Sequence, residues 1–344
     1  MDIDEQIHTI HQRLDEGRQF LNHSFVRFLL LPLVQELHRS GKFGEGLELL
    51  NKALDRQWTQ RDFLLRQETL DLKGQALLEL GELREAQVVF QHVLEGLEQE
   101  VDLDHALISS VMNNLALAYD KLEEFDRSEP LYYLALERHK RNLAPDHPEV
   151  ATALNNLAVS YMVQGKLEEA RPLYYKALDI RKKRFGENHP DVAFSLNNLA
   201  VLHRRKKDYV NAEKCFRQAL GIRIHIYGRN HPDVAQSLNN LAVLFIKQGN
   251  YEEAEPLHQE ALEIKTYFFG SAHPAIAATL NNLAVLYVKQ GLVNKAIPLV
   301  ETSLVILERT LGSEHRKTKN VKIKLESLKL GKVQKIQNFQ EPSS

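Results

Sequence analysis

Two residue types recur at a spacing that could do chemistry. Asparagine pairs stand at Asn113-Asn114, Asn155-Asn156, Asn197-Asn198, Asn239-Asn240 and Asn281-Asn282, 42 residues apart, each followed by Leu-Ala. A carboxamide both donates and accepts hydrogen bonds, so a row of them can hold a peptide backbone whatever its side chains. Histidines form a second ladder with the same period: His105, His147, His189, His231, His273 and His315. A zinc site would need several imidazoles at about 2.0–2.1 Å from one centre. Equivalent residues of stacked neighbours lie about 10 Å apart, so this ladder is expected to order helix starts rather than to bind metal. Glycine-rich phosphate loops, His-Glu-x-x-His, Gly-x-Ser-x-Gly and paired cysteines are absent from the sequence. The expected chemistry is therefore recognition, with no catalytic residue, metal or cofactor.

The elements that position these residues follow from the period. Between Pro148 and Gly186, Leu154, Leu157, Ala158 and Tyr161 fall on one helical face. Gly165 interrupts, and Leu167, Ala170, Leu173, Tyr174, Ala177, Leu178 and Arg181 mark a second helix. Ala158, Ala200, Ala242 and Ala284 mark one close approach of helices, and Ala170, Ala212, Ala254 and Ala296 another. Tyr161, Tyr174, Phe216, Phe245 and Tyr287 fill the gaps beside them. Pro148, Pro190, Pro232 and Pro274 suit a first helical position. Pro130, Pro172, Pro256 and Pro298 are expected near the start of each second helix, where few amides have partners. Gly186, Gly228, Gly270 and Gly312 close the second helices.

A period of this size means one hairpin stacked on copies of itself. The fold class is all-α, a right-handed α-solenoid of stacked helical hairpins. Seven hairpins are expected: a degenerate one over 26–69 and six regular ones over 70–315. A leading helix covers 1–25, a basic capping helix 316–335 and a disordered tail 336–344. The cap carries eight Lys or Arg against Glu326 alone, with Val321, Leu325 and Leu328 on one face.

Bulk properties narrow the partners. Net charge is -2, so no overall field points to nucleic acid. The most apolar run, Phe25 to Val34, is ten residues and holds Arg27 and Pro32, short of the ~20 that span a bilayer. Cys215 is the only cysteine and fits a small packed position, while Trp58 fits packing in the link between early hairpins. A cytoplasmic location is expected, as no basic-then-apolar leader opens the chain.

The small and aromatic positions of this hairpin resemble the tetratricopeptide repeat. The 42-residue period, with Leu-Asn-Asn-Leu-Ala-Val and Gly-x-x-His-Pro-x-Val-Ala elements, looks like the kinesin light chain type, shared with nephrocystin-like proteins. The resemblance is strong over about residues 105–315. It implies a superhelix whose concave face, lined by first helices, binds extended peptides, and for kinesin light chains acidic segments bearing an aromatic.

Helical phase puts Asn113, Asn155, Asn197, Asn239 and Asn281 on that face, with their second partners satisfying groups between repeats. One turn on lie Leu117, Val159, Val201, Val243 and Val285, and then Lys121, Arg204, Arg205, Lys247 and Lys289. The expected function is a non-catalytic adaptor that takes an extended acidic segment of a partner protein in this groove. The rival is a scaffold assembling through its convex face or the basic C-terminal helix. Motor or cargo association of the kinesin light chain kind is a further alternative, although no long heptad segment precedes the repeats. An allosteric superhelix is another.

Overall fold

The computed structural model describes residues 7, 9, 10, 12–14, 23–55, 58–99 and 106–331. The chain forms two compact units, Met1–Ala144 and Pro145–Ser344. The leading helix expected over 1–25 and the tail over 336–344 lie largely and wholly outside the described residues, and His105 lies outside them too.

In the first unit, a π-helical turn Val26–Leu30 runs into α1 (Leu31–Arg39), which pairs with α2 (Phe43–Leu54). Then come α3 (Phe63–Leu80) with α4 (Leu83–Glu98), and α5 (Ala106–Lys121) with α6 (Phe125–Asn142). Residue 70, where the regular array was expected to open, falls inside α3. The second unit pairs α7 (Pro148–Val163) with α8 (Leu167–Phe185), and α9 (Pro190–Arg205) with α10 (Tyr209–Tyr227). It continues with α11 (Pro232–Gln248) and α12 (Tyr251–Phe269), then α13 (Pro274–Lys289) and α14 (Val293–Leu311), and closes with α15 (Arg316–Lys329). Each unit is an all-helical stack of hairpins in which every helix packs on the one before and the one after it.

The alanines do what their size allows. Ala158, Ala200, Ala242, Ala284, Ala170, Ala212, Ala254 and Ala296 are all fully buried, letting helix axes approach closely. In the second hairpin the equivalent of Ala116 is Gly74, where an added Cβ would lie 2.4 Å from the Phe90 ring. That close approach needs a hydrogen in place of a methyl.

The short turn inside each second-unit hairpin closes with a six-to-one bond. Lys166 N donates to Tyr161 O, Asp208 N to His203 O, Asn250 N to Phe245 O and Leu292 N to Tyr287 O, all at 2.8–2.9 Å. Gly165, Gly249 and Gly291 supply the positive φ, while Lys207 takes it (62°) without being glycine.

The histidine ladder caps helices. Nδ1 of His147, His189, His231, His273 and His315 accepts the backbone N–H two residues on, at 3.0–3.3 Å. Three of the rings stack on the aromatic that ends the preceding helix: His189 on Phe185 at 4.1 Å, His231 on Tyr227 and His273 on Phe269 at 4.2 Å. Proline follows the cap at the first helical position of α7, α9, α11 and α13, as expected.

The other prolines correct the sequence reading. Pro130, Pro172, Pro256 and Pro298 each sit at the sixth residue of a second helix, where an amide would normally bond four residues back. The carbonyls left without that donor belong to Asp126, Glu168, Glu252 and Asn294, all on exposed residues where water can serve them.

The asparagine pairs join successive first helices. Asn198 Nδ2 donates to Asn155 Oδ1 and Asn240 Nδ2 to Asn197 Oδ1, both at 2.7 Å. In the first unit Asn114 Nδ2 reaches Asp71 Oδ1 at 2.8 Å, and at the end of the second Lys324 Nζ reaches Asn281 Oδ1 at 2.7 Å. Each rung is a donor from the second position of one repeat and an acceptor from the first position of the repeat before it. Asn198→Ala would leave the Asn155 oxygen buried (3% exposed) without its donor. The expected loss is about 1–3 kcal/mol of unfolding free energy, read by chemical denaturation.

The core contains one misfit. Phe90, Tyr132, Tyr174, Phe216, His258 and Val300 occupy one repeat position, all buried, and His258 is completely so. Neither ring nitrogen of His258 has a partner. Burial, aided by the Lys265 charge, holds it at about 3. Its ordinary value is 6.5. The folded state refuses a proton that the unfolded chain accepts below 6.5. Stability present above that pH is therefore lost as pH falls toward 3, by about 1.4 kcal/mol per unit. His258→Phe is expected to raise the melting temperature at pH 7 and to widen its lead at pH 5. An unchanged pH slope would contradict this assignment.

Candidate peptide-binding face

In the second unit α7, α9, α11 and α13 follow one another in the stack, with rungs between α7 and α9 and between α9 and α11, so equivalent residues of these first helices form rows. Four residues beyond each first asparagine stand Val159, Val201 and Val285, half-buried, and Val243, 9% exposed. Eight residues beyond stand Val163, Arg205, Lys247 and Lys289, all exposed. The structure thus brings the valine row and the basic row onto one side of the first helices. Arg204 is half-buried beside them. In the first unit, α5 repeats the pattern by itself: Asn113 is half-buried, Leu117 36% exposed and Lys121 exposed.

Two placements differ from the sequence expectation. The first asparagines were expected to face a ligand and the second ones to serve the fold. They instead lie in the seams between first helices: Asn155 and Asn239 are buried, Asn113, Asn197 and Asn281 are half-buried, and Asn155, Asn197 and Asn281 accept the rung bonds. Asn113 Nδ2 also donates to Ser109 O in its own helix at 2.9 Å. The cause is the close approach of first helices, which brings residues 43 apart within bonding distance. Arg205 is also partly committed, since its Nη1 donates to Met162 O at 2.6 Å near the C-terminal end of α7. A cation is favourable there because the helix end carries partial negative charge.

Sequence reading missed a row behind the first turn of these helices. Thr152, Phe194, Gln236 and Ala278 share one repeat position, and Phe194 is 42% exposed, with the Arg181 guanidinium 5.3 Å from its ring centroid. The available signal was variation: this position carries a different residue in each of the four copies, while the residue before it is alanine in all of them.

Second helices send buried cations into the same seams. Arg181 Nη1 bonds Ser195 Oγ at 2.7 Å, and Nη2 bonds Thr152 Oγ1 at 3.2 Å. Arg223 Nη1 bonds Ser237 Oγ at 2.7 Å, and Lys265 Nζ bonds Thr279 Oγ1 at 3.1 Å and Gln236 Oε1 at 3.4 Å. Burial lowers all three, countered at Arg181 by Asp191 and at Arg223 chiefly by Asp233. Burial alone brings Lys265 down to about 8. One hydroxyl and one amide oxygen, not carboxylates, accept the Lys265 bonds.

One cluster has the outline of a hydrolytic triad. His203 Nδ1 lies 2.8 Å from Asp208 Oδ2, and its Nε2 lies 3.2 Å from the Tyr175 hydroxyl. Asp208 is the N-cap of α10 and also accepts from the Asn211 amide groups. The cluster occupies the place of Tyr161, Phe245 and Tyr287 in other repeats and ties α8, α9 and α10 together. Cys215 is half-buried against the second-unit core, and burial raises its thiol. Trp58 is half-buried and packs on the first-unit core, its Nε1 3.4 Å from Leu54 O. Among the described residues no group of three His, Cys, Asp or Glu could hold a metal ion, and no helix is long and apolar enough to cross a membrane.

Comparison with known proteins agrees with this geometry. The description "Tetratricopeptide repeat" matches residues 107–162, 149–224 and 195–266, and a second description of that name matches 276–317. No protein of curated function matches the chain. Among solved structures, BtubC (BKLC) from P. vanneervenii is similar at 23% identity and TM-score 0.51, over 78% of this chain and 93% of that one. A Rap protein complexed with Competence and Sporulation Factor is similar at 15% identity and TM-score 0.59, over 95% and 99% of the two chains. The Rap conjugation gene regulator of plasmid pLS20, in complex with the Phr* peptide, is similar at 14% identity and TM-score 0.60, over 98% and 97%. At these identities the likeness concerns the fold. With hairpins, rungs and capped first helices repeated at one period, and the family description matched over most of the regular array, the chain belongs to the tetratricopeptide repeat family.

Proposed function

We propose that the chain is a non-catalytic protein-interaction adaptor whose second unit takes an extended, acidic segment of a partner protein on its first-helix face. The observation that carries this reading is the alignment of two rows on neighbouring helices, Val159, Val201, Val243 and Val285 beside Arg205, Lys247 and Lys289. Successive hairpins are about 10 Å apart and an extended chain advances about 3.3 Å per residue, so every third ligand residue meets a valine. The basic row adds attraction for carboxylates and a faster, salt-dependent encounter. Arg204 adds charge beside these rows. In the first unit, Asn113, Leu117 and Lys121 form a smaller patch of the same kind. The Phr* peptide complex of a Rap regulator is an instance of this fold with a peptide ligand. A single half-buried cysteine suits a reducing compartment such as the cytoplasm.

A second reading has its own observation. The outer face of α15 exposes Ile323 (50%) beside Lys319 and Lys322, with Leu330 (66%) just past its end. Such a surface suits assembly through the C-terminal helix.

The test uses a peptide selected from a random dodecapeptide display library on the full chain, fluorescein-labelled and followed by anisotropy. Lys247→Glu with Lys289→Glu, both exposed, is expected to weaken binding more than about tenfold, or 1.4 kcal/mol. Gln218→Glu on α10 should leave it within about threefold. Unchanged affinity in the double variant would sink the first-helix reading, and loss of binding on Ile323→Glu would move it to α15.

A further inference from the structure

Tyr175, His203 and Asp208 meet from three successive elements of the second unit, α8, α9 and the N-cap of α10. Asp208 Oδ2 lies 2.8 Å from His203 Nδ1, and His203 Nε2 lies 3.2 Å from the Tyr175 hydroxyl. Asp208 also accepts from Asn211 Nδ2 at 2.8 Å and from Asn211 N at 3.3 Å. These bonds, led by the one from the Asn211 side chain, hold its carboxyl below the usual range and keep it ionised. A carboxylate can only accept, so Nδ1 carries the ring proton and Nε2 is left to accept from the phenol. The phenol thus stands at the far end of a carboxylate–imidazole pair, the arrangement that turns a hydroxyl into a nucleophile.

Packing does not require this pair. The His203 position is Tyr161, Phe245 and Tyr287 in other repeats, and the Asp208 position is Lys166, Asn250 and Leu292. Those hairpins fold with an aromatic ring where His203 stands. His203 is 9% exposed and largely shielded from water, whereas Tyr175 is 44% exposed and open to a reagent from solvent. The two rings stand edge to face at 81°, with centroids 6.5 Å apart. Tyr133 holds the Tyr175 position on α6 and is equally exposed, but its counterparts of His203 and Asp208 are Tyr161 and Lys166. The chain therefore carries its own reference phenol.

We propose that Tyr175 is a covalent modification site, where the phenol oxygen takes an acyl group from an activated ester and His203 Nε2 takes the phenol proton. The new bond joins the Tyr175 oxygen to the acyl carbon. The bond from that carbon to the leaving oxygen breaks, and its electron pair departs with the leaving group. Asp208 acts as a positioning residue that also stabilises the imidazolium, and the proton passes on to water. The product is an aryl ester on the chain. Its oxygen has no proton to give His203, so acylation removes this tie between α8 and α9.

The experiment treats the full chain with p-nitrophenyl acetate and maps acetyl groups over time by mass spectrometry. Neutral hydroxylamine then removes aryl esters and leaves lysine amides. Tyr175 is expected to acetylate more than about tenfold faster than Tyr133 in the same molecule. His203→Phe, which copies the residue at Phe245, is expected to bring Tyr175 down to the Tyr133 rate. Asp208→Asn, which copies Asn250, keeps an oxygen to cap α10 and is expected to leave the melting temperature nearly unchanged. Its carboxamide can donate to Nδ1 and reverse the tautomer, so the Tyr175 rate is still expected to fall more than about tenfold. Equal rates at Tyr175 and Tyr133 in the unaltered chain would overturn the proposal. So would a Tyr175 rate unchanged by His203→Phe. Should that variant fail to fold, an unchanged rate in Asp208→Asn overturns it equally.

Discussion

The side-chain bond between successive first helices is the constraint on which the rest depends. A hairpin packed through alanines has no directional feature to fix its register against the next, since apolar contact is non-directional. A carboxamide rung supplies that direction. It requires the first residue of each pair to accept and the second to donate, and a neutral amide does either without burying a charge. The rule relaxes at the outermost rungs. Asp71 can only accept, and Lys324 can only donate, and each stands where no further partner is required. Burial moves both toward neutrality, Asp71 up to about 6 and Lys324 down to about 8. Charged rungs throughout would carry that penalty at every seam.

The same logic organises the capped ends. Each imidazole accepts an otherwise orphaned amide, and in three repeats its ring lies flat on the aromatic before it. Helix start, turn and preceding helix are therefore fixed by one residue. Residue type varies behind the first turn, from Thr152 to Phe194, Gln236 and Ala278, and there Thr152 and Gln236 accept from the buried Arg181 and Lys265.

Much of the fold was legible because it is local. Hairpins, proline at the first helical position, glycine at helix ends, alanines in contact and histidines before the helix all follow from residues within a turn or two. What was not legible depends on pairs far apart in sequence. Asn155 and Asn198 are 43 residues apart, and nothing in either pair shows which member accepts. Arg181 reads as one more position on a helical face until Ser195 and Thr152 are placed around it. The sixth-position prolines were misplaced because helix starts are uncertain by a turn, and one turn separates an amide without a partner from one that has it. His258 was passed over because comparison between repeats, rather than periodicity, reveals it. The shared repeat register of the valines, and that of the basic residues, can be read from the 42-residue period alone.

The stacked imidazole clasp also bears on how such a chain changes length. Each clasp lies between Phe185 and Pro190, Tyr227 and Pro232, or Phe269 and Pro274, and is complete within a few residues. Excising residues 190–231 would join His189 to Pro232, restoring a capped helix behind Phe185. Asn240 would then face Asn155, and Arg181 would face Ser237, each a partner of the type it lost. Recombination between copies can therefore delete or duplicate a whole hairpin without leaving a scar. The number of repeats becomes a heritable variable, and the length of partner that the chain can span becomes one with it.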